Sequence, residues 1–552
     1  MQLENLTCLL PLALLAAPTA AQSWTLQPLV LEGDSVPGVG LVTSIQNFAI
    51  NDNLDWRVEA DTDNPSTDDD YVLLGPFGLV LQENQPLPLP VGAVLDSFDA
   101  LTLNASGNSA VNYFLKGTTG TSDDSGIYYN TNLLIQESQI SGALAFTPGT
   151  PYIGFFETKL NDNDDILVMA SVDDPAIATS VDRALVKLTI DASGGLASET
   201  VLFKEGDTLP GTTGLITDFG TGPHNFDMNN AGSVMYFADT NLATTDDGFI
   251  YIDSIQLAAE NGPSPVVGRL WSSLSSPELS LNNNGEFVYS GSLQGDSTTN
   301  LLIVKNNTNF RQEGDAVPSL PAFKFTSFGS GPIDLADTGD VLWYGDWDDS
   351  ATDFDTGLFV NDELIVQEGV STVGGVIVDT LSGVQEGYFL SNDGRFVIFE
   401  ATLLDGTTGA FLATRSGGIT AVTPGCAPSG ATLMATGGAP TLGGSLQLTF
   451  DGPQSTPAIT YLGLSSGSWV DGSGCGLPVA GIGEILIDIL PPNPILIPAG
   501  VHSGAPVVLP AAVPTSINLI GATFYLQGMF IDPVNLVEPI RMTNGLTVFI
   551  GL

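Results

Sequence analysis

Basic side chains are scarce in this chain: 13 Lys and Arg stand against 62 Asp and Glu, a formal net charge of −49 over 552 residues. A surface without Lys and Arg cannot neutralise phosphates, which excludes nucleic acid as a partner. Histidine occurs twice and cysteine three times, and the region of Cys426 and Cys475 has too few Cys and His partners for a zinc site. Long apolar runs are also missing; the run Leu9 to Ala17 is shorter than the ~20 residues a spanning helix needs. No stretch holds a helical period for a useful length. Charged residues make up 14% and hydrophobic ones 43%, so a large core is possible and disorder is not implied by the charge.

What is present is a repeat. The stretch Leu279 to Gly291, LSLNNNGEFVYSG, has two alternating runs joined at Asn282, with Gly285 three residues on. That is hairpin writing, with glycine where the backbone needs positive φ. The turn position recurs at Asn51, Asn104, Asn161, Asn229, Asn282, Ala336 and Ser391. Leu54 replaces the glycine in the first copy, which predicts a turn of different shape there. Small residues follow at a fixed offset, as at Ala60, Ala170, Ala238, Gly291 and Gly345. A second landmark runs in phase: Glu32-Gly33-Asp34, Glu83, Glu137, Glu205-Gly206-Asp207, Glu260, Glu313-Gly314-Asp315 and Glu368-Gly369. Each unit accommodates four short strands. The fold expected is all-β, a seven-bladed β-propeller of four-stranded blades followed by a small β-sandwich.

Three segments are expected. Residues 1–21 read as a secretory signal peptide, 22–423 as the seven repeats, and 424–552 as the sandwich module. Leu29 to Glu32 is expected to complete the last blade, and a weak strand at Ile419 to Val422 to end it. The third unit's extra length, Asp173 to Asp191, reads as a surface excursion. Asn544-Gly545 reads as a hairpin turn. In an exported protein Cys426 and Cys475 are expected to form a disulfide.

The repeated N-x-x-G with its alternating aromatic strand, together with the EGD-x-x-P ending, resembles the secreted tandem-repeat proteins named for an NxxGxxAF motif, common in planctomycete-type bacteria. The closing LPPNPILIP, FYLQGMFIDP and MTNGLTVFIG resemble those bacteria's C-terminal secreted-protein module. The resemblance implies export and surface retention; it implies no activity.

Candidate sites follow from the register. Asp99, Glu157, His224, Glu278 and Glu386 fall near the start of each unit's first strand, where a channel mouth could bind a cation or a glycan. Asn161, Asn163 and Asp165, and also Asp346 and Asp348, alternate as calcium-ligating oxygens do. Ser465, in the only GxSxG string, has no helix pattern after it and reads as a loop serine. The functional expectation is a secreted or cell-surface, non-enzymatic binding or scaffolding protein with an extracellular glycan or protein ligand. The alternatives are a polysaccharide-active enzyme with carboxylates at the channel mouth and a calcium-stabilised surface structural protein.

Overall fold

The structure, a computed structural model, describes residues 24–551 apart from 65–70, 178–181, 221, 275–276, 416, 423–429, 453–456, 471–474, 480–481, 491–493, 516–518, 520–521 and 536–538. The signal-peptide expectation (1–21) and Cys426, hence its pairing with Cys475, lie outside the described residues. The described chain is all-β, built from many small antiparallel sheets, with no α-helix among the described residues.

Seven of the sheets follow the repeat. The fifth is typical: Leu279–Leu281 and Trp271–Ser273 both pair with Phe287–Leu293, which pairs with Leu301–Lys305, which pairs with Thr308–Gln312. Alternation sends Val288 and Ile303 to one face and Tyr289, Leu302 and Val304 to the other, and each face is buried against a neighbouring sheet. The small residue at the fixed offset has a steric cause. A Cβ on Gly345 would stand 2.7 Å from the Phe325 ring, and one on Gly291 would stand 2.8 Å from the Trp271 ring.

The first strands pack in succession. Gly40–Ile50 lies against Val94–Leu103, and the series continues through Tyr152–Leu160, Phe226–Met228, Leu279–Leu281, Asp334–Leu335 and Tyr388–Leu390, which returns to Gly40–Ile50. The first described strand is fixed to the seventh sheet: Trp24–Leu31 pairs antiparallel with Thr408–Arg415, Trp24 opposite Arg415. This is the pairing expected for Leu29 to Glu32, carried further towards the start of the chain.

Four expectations need correction. Leu54 adopts φ 60° and donates to the Asn51 carbonyl at 3.2 Å, so the first turn has the same form as the others and accepts the strain. Gly418–Val422 pairs with Ile540–Phe549, not with the seventh repeat, because its apolar Ile419 joins the C-terminal core. In the third unit Asp182–Ile190 is a core strand, with Ala184, Leu185, Val186 and Leu188 fully buried, and not an excursion. Asn544 sits inside a strand rather than a turn; it accepts from the Leu433 amide at 2.7 Å and donates to the Leu433 carbonyl at 3.0 Å.

The C-terminal part has a five-stranded sheet, in the order Gly418–Val422, Ile540–Phe549, Thr523–Ile531, Ala458–Ser465 and Ile495–His502. A three-stranded sheet runs in the order Thr432–Gly437, Ser445–Asp451, Val507–Ala512. Leu433, Leu448, Phe450, Leu462 and Phe530 form their shared core.

Candidate functional site

Each repeat turn does more than reverse the chain. The asparagine Oδ1 accepts from the amides two and four residues on, as Asn229 does from Ala231 (3.0 Å) and Ser233 (3.1 Å). Its Nδ2 then donates to the next unit's turn carbonyl: Asn51 to Asn104, Asn104 to Asn161, Asn161 to Asn229, Asn229 to Asn282, and Asn282 to Ala336. Ala336 and Ser391 have no amide to give. The circuit continues there through the Asp337 amide to the Asn392 carbonyl (2.5 Å), the Asp393 amide to Asp52 Oδ1 (2.9 Å), and Arg395 to the Asp52 carbonyl. The second signature also crosses sheet boundaries: Glu260 accepts from the Leu274 amide at 2.9 Å and Glu368 from the Leu381 amide at 2.7 Å.

Asn161 and Asn163, two of the residues read as calcium ligands, belong to this circuit, and the others have partners within their own sheets. Asn161 Oδ1 accepts two turn amides, Asn163 Nδ2 donates to the Asn230 carbonyl at 2.6 Å, and Asp165 pairs with Lys187 at 3.0 Å. Asp346 accepts from Thr326 and Asp348 from the Lys324 amide. Their oxygens serve turns and sheet edges, and among the described residues no three His, Cys, Asp or Glu converge as a metal set. Ser465 ends a strand, buried, with its Oγ accepting from the Gly467 amide.

A cavity of about 170 Å³ lies between the first strands, lined from all seven sheets and running to the asparagine turns. The residue two before each turn faces it: Ala49, Thr102, Lys159, Asp227, Ser280, Asp334 and Phe389. Three of these also tie units together. Asp227 accepts from the Leu281 amide (2.7 Å), Ser280 from Leu335 (3.1 Å) and Asp334 from Leu390 (2.9 Å).

Lys159 is the cation of this region. Its ammonium acts on Asp227, Asp334, Glu157, Glu278, Glu386 and His224. Burial pushes the Glu157 and Glu278 carboxyls up to about 8, against the pull of Lys159, and Asp334 to about 6. Burial also raises Asp99 and Glu386, and Asp99 and Glu386 in turn help raise Glu157 and Glu59. His224 is 4% exposed and is held neutral, first by burial and then by Lys159.

The five register-derived residues therefore share one electrostatic neighbourhood. Asp99, Glu157 and Glu386 act on one another; Glu278 faces Asp334; His224 faces Lys159. Asn47 donates to Glu386 at 3.2 Å. Reading the sequence for acids and histidine passed over Lys159, Asp227, Asp334, Phe389 and Glu59. For Lys159, Asp227, Asp334 and Phe389 the signal was positional, since each stands two residues before a repeat turn and lines the same cavity. His224 Nε2, Glu278 Oε2 and Tyr388 Oη are buried with no hydrogen-bond partner. His224 and Phe48 both lie beside the Phe389 ring, each at 5.8 Å between centroids.

No curated protein matches the chain. Among solved structures it is similar to a puromycin hydrolase (11% identity, TM-score 0.34, 69% of this chain and 56% of that one). It is also similar to an α-L-arabinanase from Penicillium chrysogenum complexed with arabinobiose (8% identity, TM-score 0.30, 58% of this chain and 93% of that one). The chain thus spans little more than half the length of the puromycin hydrolase. Residues 25–300, half of the chain, match a family model, and the chain belongs to that family, a family of unknown function, DUF7453.

Proposed function

We propose that the protein is a secreted or cell-surface binding or scaffolding protein, a seven-bladed β-propeller with a C-terminal β-sandwich, that takes an extracellular ligand at the mouth of its central channel. The observation that carries this reading is the convergence of polar side chains from seven sheets on one cavity whose walls are tied together by the asparagine circuit. A framework held by main-chain acceptors stays put while the channel side chains remain available, which is how rigid scaffolds present sites. The succession of first-strand contacts returning to its start supports a seven-bladed closure, and the shared core of the two C-terminal sheets supports a sandwich. The leading apolar segment and the acidic composition support export.

One observation favours a second reading as a polysaccharide-active enzyme. Burial pushes the Glu157 and Glu278 carboxyls up to about 8, towards the protonated form a general acid needs. A glycan array combined with a reducing-sugar assay separates the two. Capture without release supports the binding protein; release abolished by Glu157→Gln or Glu278→Gln supports the enzyme; neither capture nor release sinks both.

A further inference from the structure

We infer that the channel cavity is a site for one neutral, hydroxylated six-membered ring, a single pyranose unit, held by Lys159, Asp227 and Asp334 beside Phe389. The inference rests on the binding-protein reading and assigns the ligand class to the channel.

Size comes first. The cavity is about 170 Å³, and a cavity of roughly 150 Å³ holds one benzene ring. One ring fits. Shape comes next: the part-buried Phe389 lines the cavity, next to His224, and an aromatic side chain there suits the C–H face of a sugar ring. Polar chemistry decides the rest. Around this one face stand an ammonium donor (Lys159), two carboxylates that each accept a main-chain amide (Asp227 and Asp334), and two hydroxyls (Thr102 and Ser280). The His224 imidazole lines the same cavity, 4% exposed, and its Nε2 is buried without a partner.

Charge weighs against the other classes. An incoming cation would share the small cavity with the Lys159 ammonium. An incoming anion would meet Asp227 and Asp334 directly. A neutral ring with several hydroxyls offers donors to the carboxylates and acceptors to the ammonium, and adds no charge.

The test is isothermal titration calorimetry of the full chain with methyl glycosides of glucose, galactose and mannose, with glucuronate and putrescine as charged probes. The expected result is saturable binding of at least one methyl glycoside, weakened tenfold or more by Lys159→Met and by Phe389→Ala. Thr102→Phe, which fills the cavity from a different strand, abolishes it while the melting temperature stays near the parent's. Binding of only glucuronate or only putrescine overturns the inference, as does the absence of any binding at millimolar ligand. Glycan-array capture that survives both Lys159→Met and Thr102→Phe leaves the binding function standing and removes this site.

Discussion

Asn229 reaches across a sheet boundary to Asn282: its Nδ2 donates to the Asn282 carbonyl at 3.2 Å while its Oδ1 accepts two amides of its own turn. One side chain thus shapes a hairpin and joins two sheets. Asn229→Ala removes three hydrogen bonds at a buried position and should cost about 2–4 kcal/mol, at ~1 kcal/mol each with some unsatisfied amides left behind. Asn229→Asp keeps the turn acceptor but sets an oxygen against the Asn282 carbonyl, and should destabilise at neutral pH and recover partly in acid. Chemical denaturation at pH 7 and pH 4.5 checks both. An Asn229→Ala midpoint equal to the parent's would mean that the circuit is ornamental.

Stability should fall as pH rises. Burial pushes Glu157 and Glu278 up to about 8, and Asp52 to about 7 with Asp393 adding repulsion. The folded chain therefore holds protons that the unfolded chain releases near the ordinary carboxylate value of about 4. The stabilisation from these groups is complete below about pH 4 and is lost as pH climbs through 7 and 8. The melting temperature should drop by several degrees between pH 5 and pH 8.5. A Glu157→Gln, Glu278→Gln double variant should flatten that slope. A parent melting temperature that rises over the same interval contradicts the assignment.

Trp24 fastens the first described strand. It is 2% exposed in the seventh-sheet core, its Nε1 donates to Glu363 at 3.2 Å, and the Arg415 guanidinium lies 5.3 Å from its ring centre. Trp24→Ala should cost about 3–5 kcal/mol, as large core truncations do, and Trp24→Phe markedly less. Thermal melts followed by near-ultraviolet circular dichroism measure it, and a loss under ~1 kcal/mol would show that the strand is dispensable.

Gly345 is enclosed by the Phe325, Phe359 and Trp343 rings, with prospective Cβ distances of 2.7, 3.1 and 3.1 Å. Gly345→Ala should cost about 1–3 kcal/mol by overpacking, whereas Gly406→Ala, where a Cβ meets open space, should act only through its positive φ. Comparing the two by urea titration separates crowding from backbone strain.

Much of this architecture was legible because it is local. The hairpin glycines, the alternation and the small offset residue are all decided within a few positions of the chain. What escaped reading depends on residues far apart in sequence. Nothing near Asn229 says that its amide group meets a carbonyl in the next unit. The same alternation that built the strands put Lys159 in register with Asp227 and Asp334, yet a search for acids and histidine had no reason to weigh a lone lysine. Leu54 shows the opposite failure: a local rule forbade its conformation, and the circuit through Asn51 and Asn104 overrode it. Gly418–Val422 was assigned to the wrong partner because a short apolar strand does not name its neighbour.

The pairing of Trp24–Leu31 with Thr408–Arg415 has a kinetic meaning. The segment that emerges from the ribosome early waits for nearly four hundred later residues before it finds its mate. Until then both edges stay bare, so assembly should end in one slow, late step, and any helper protein that shields unpaired backbone would act on this intermediate.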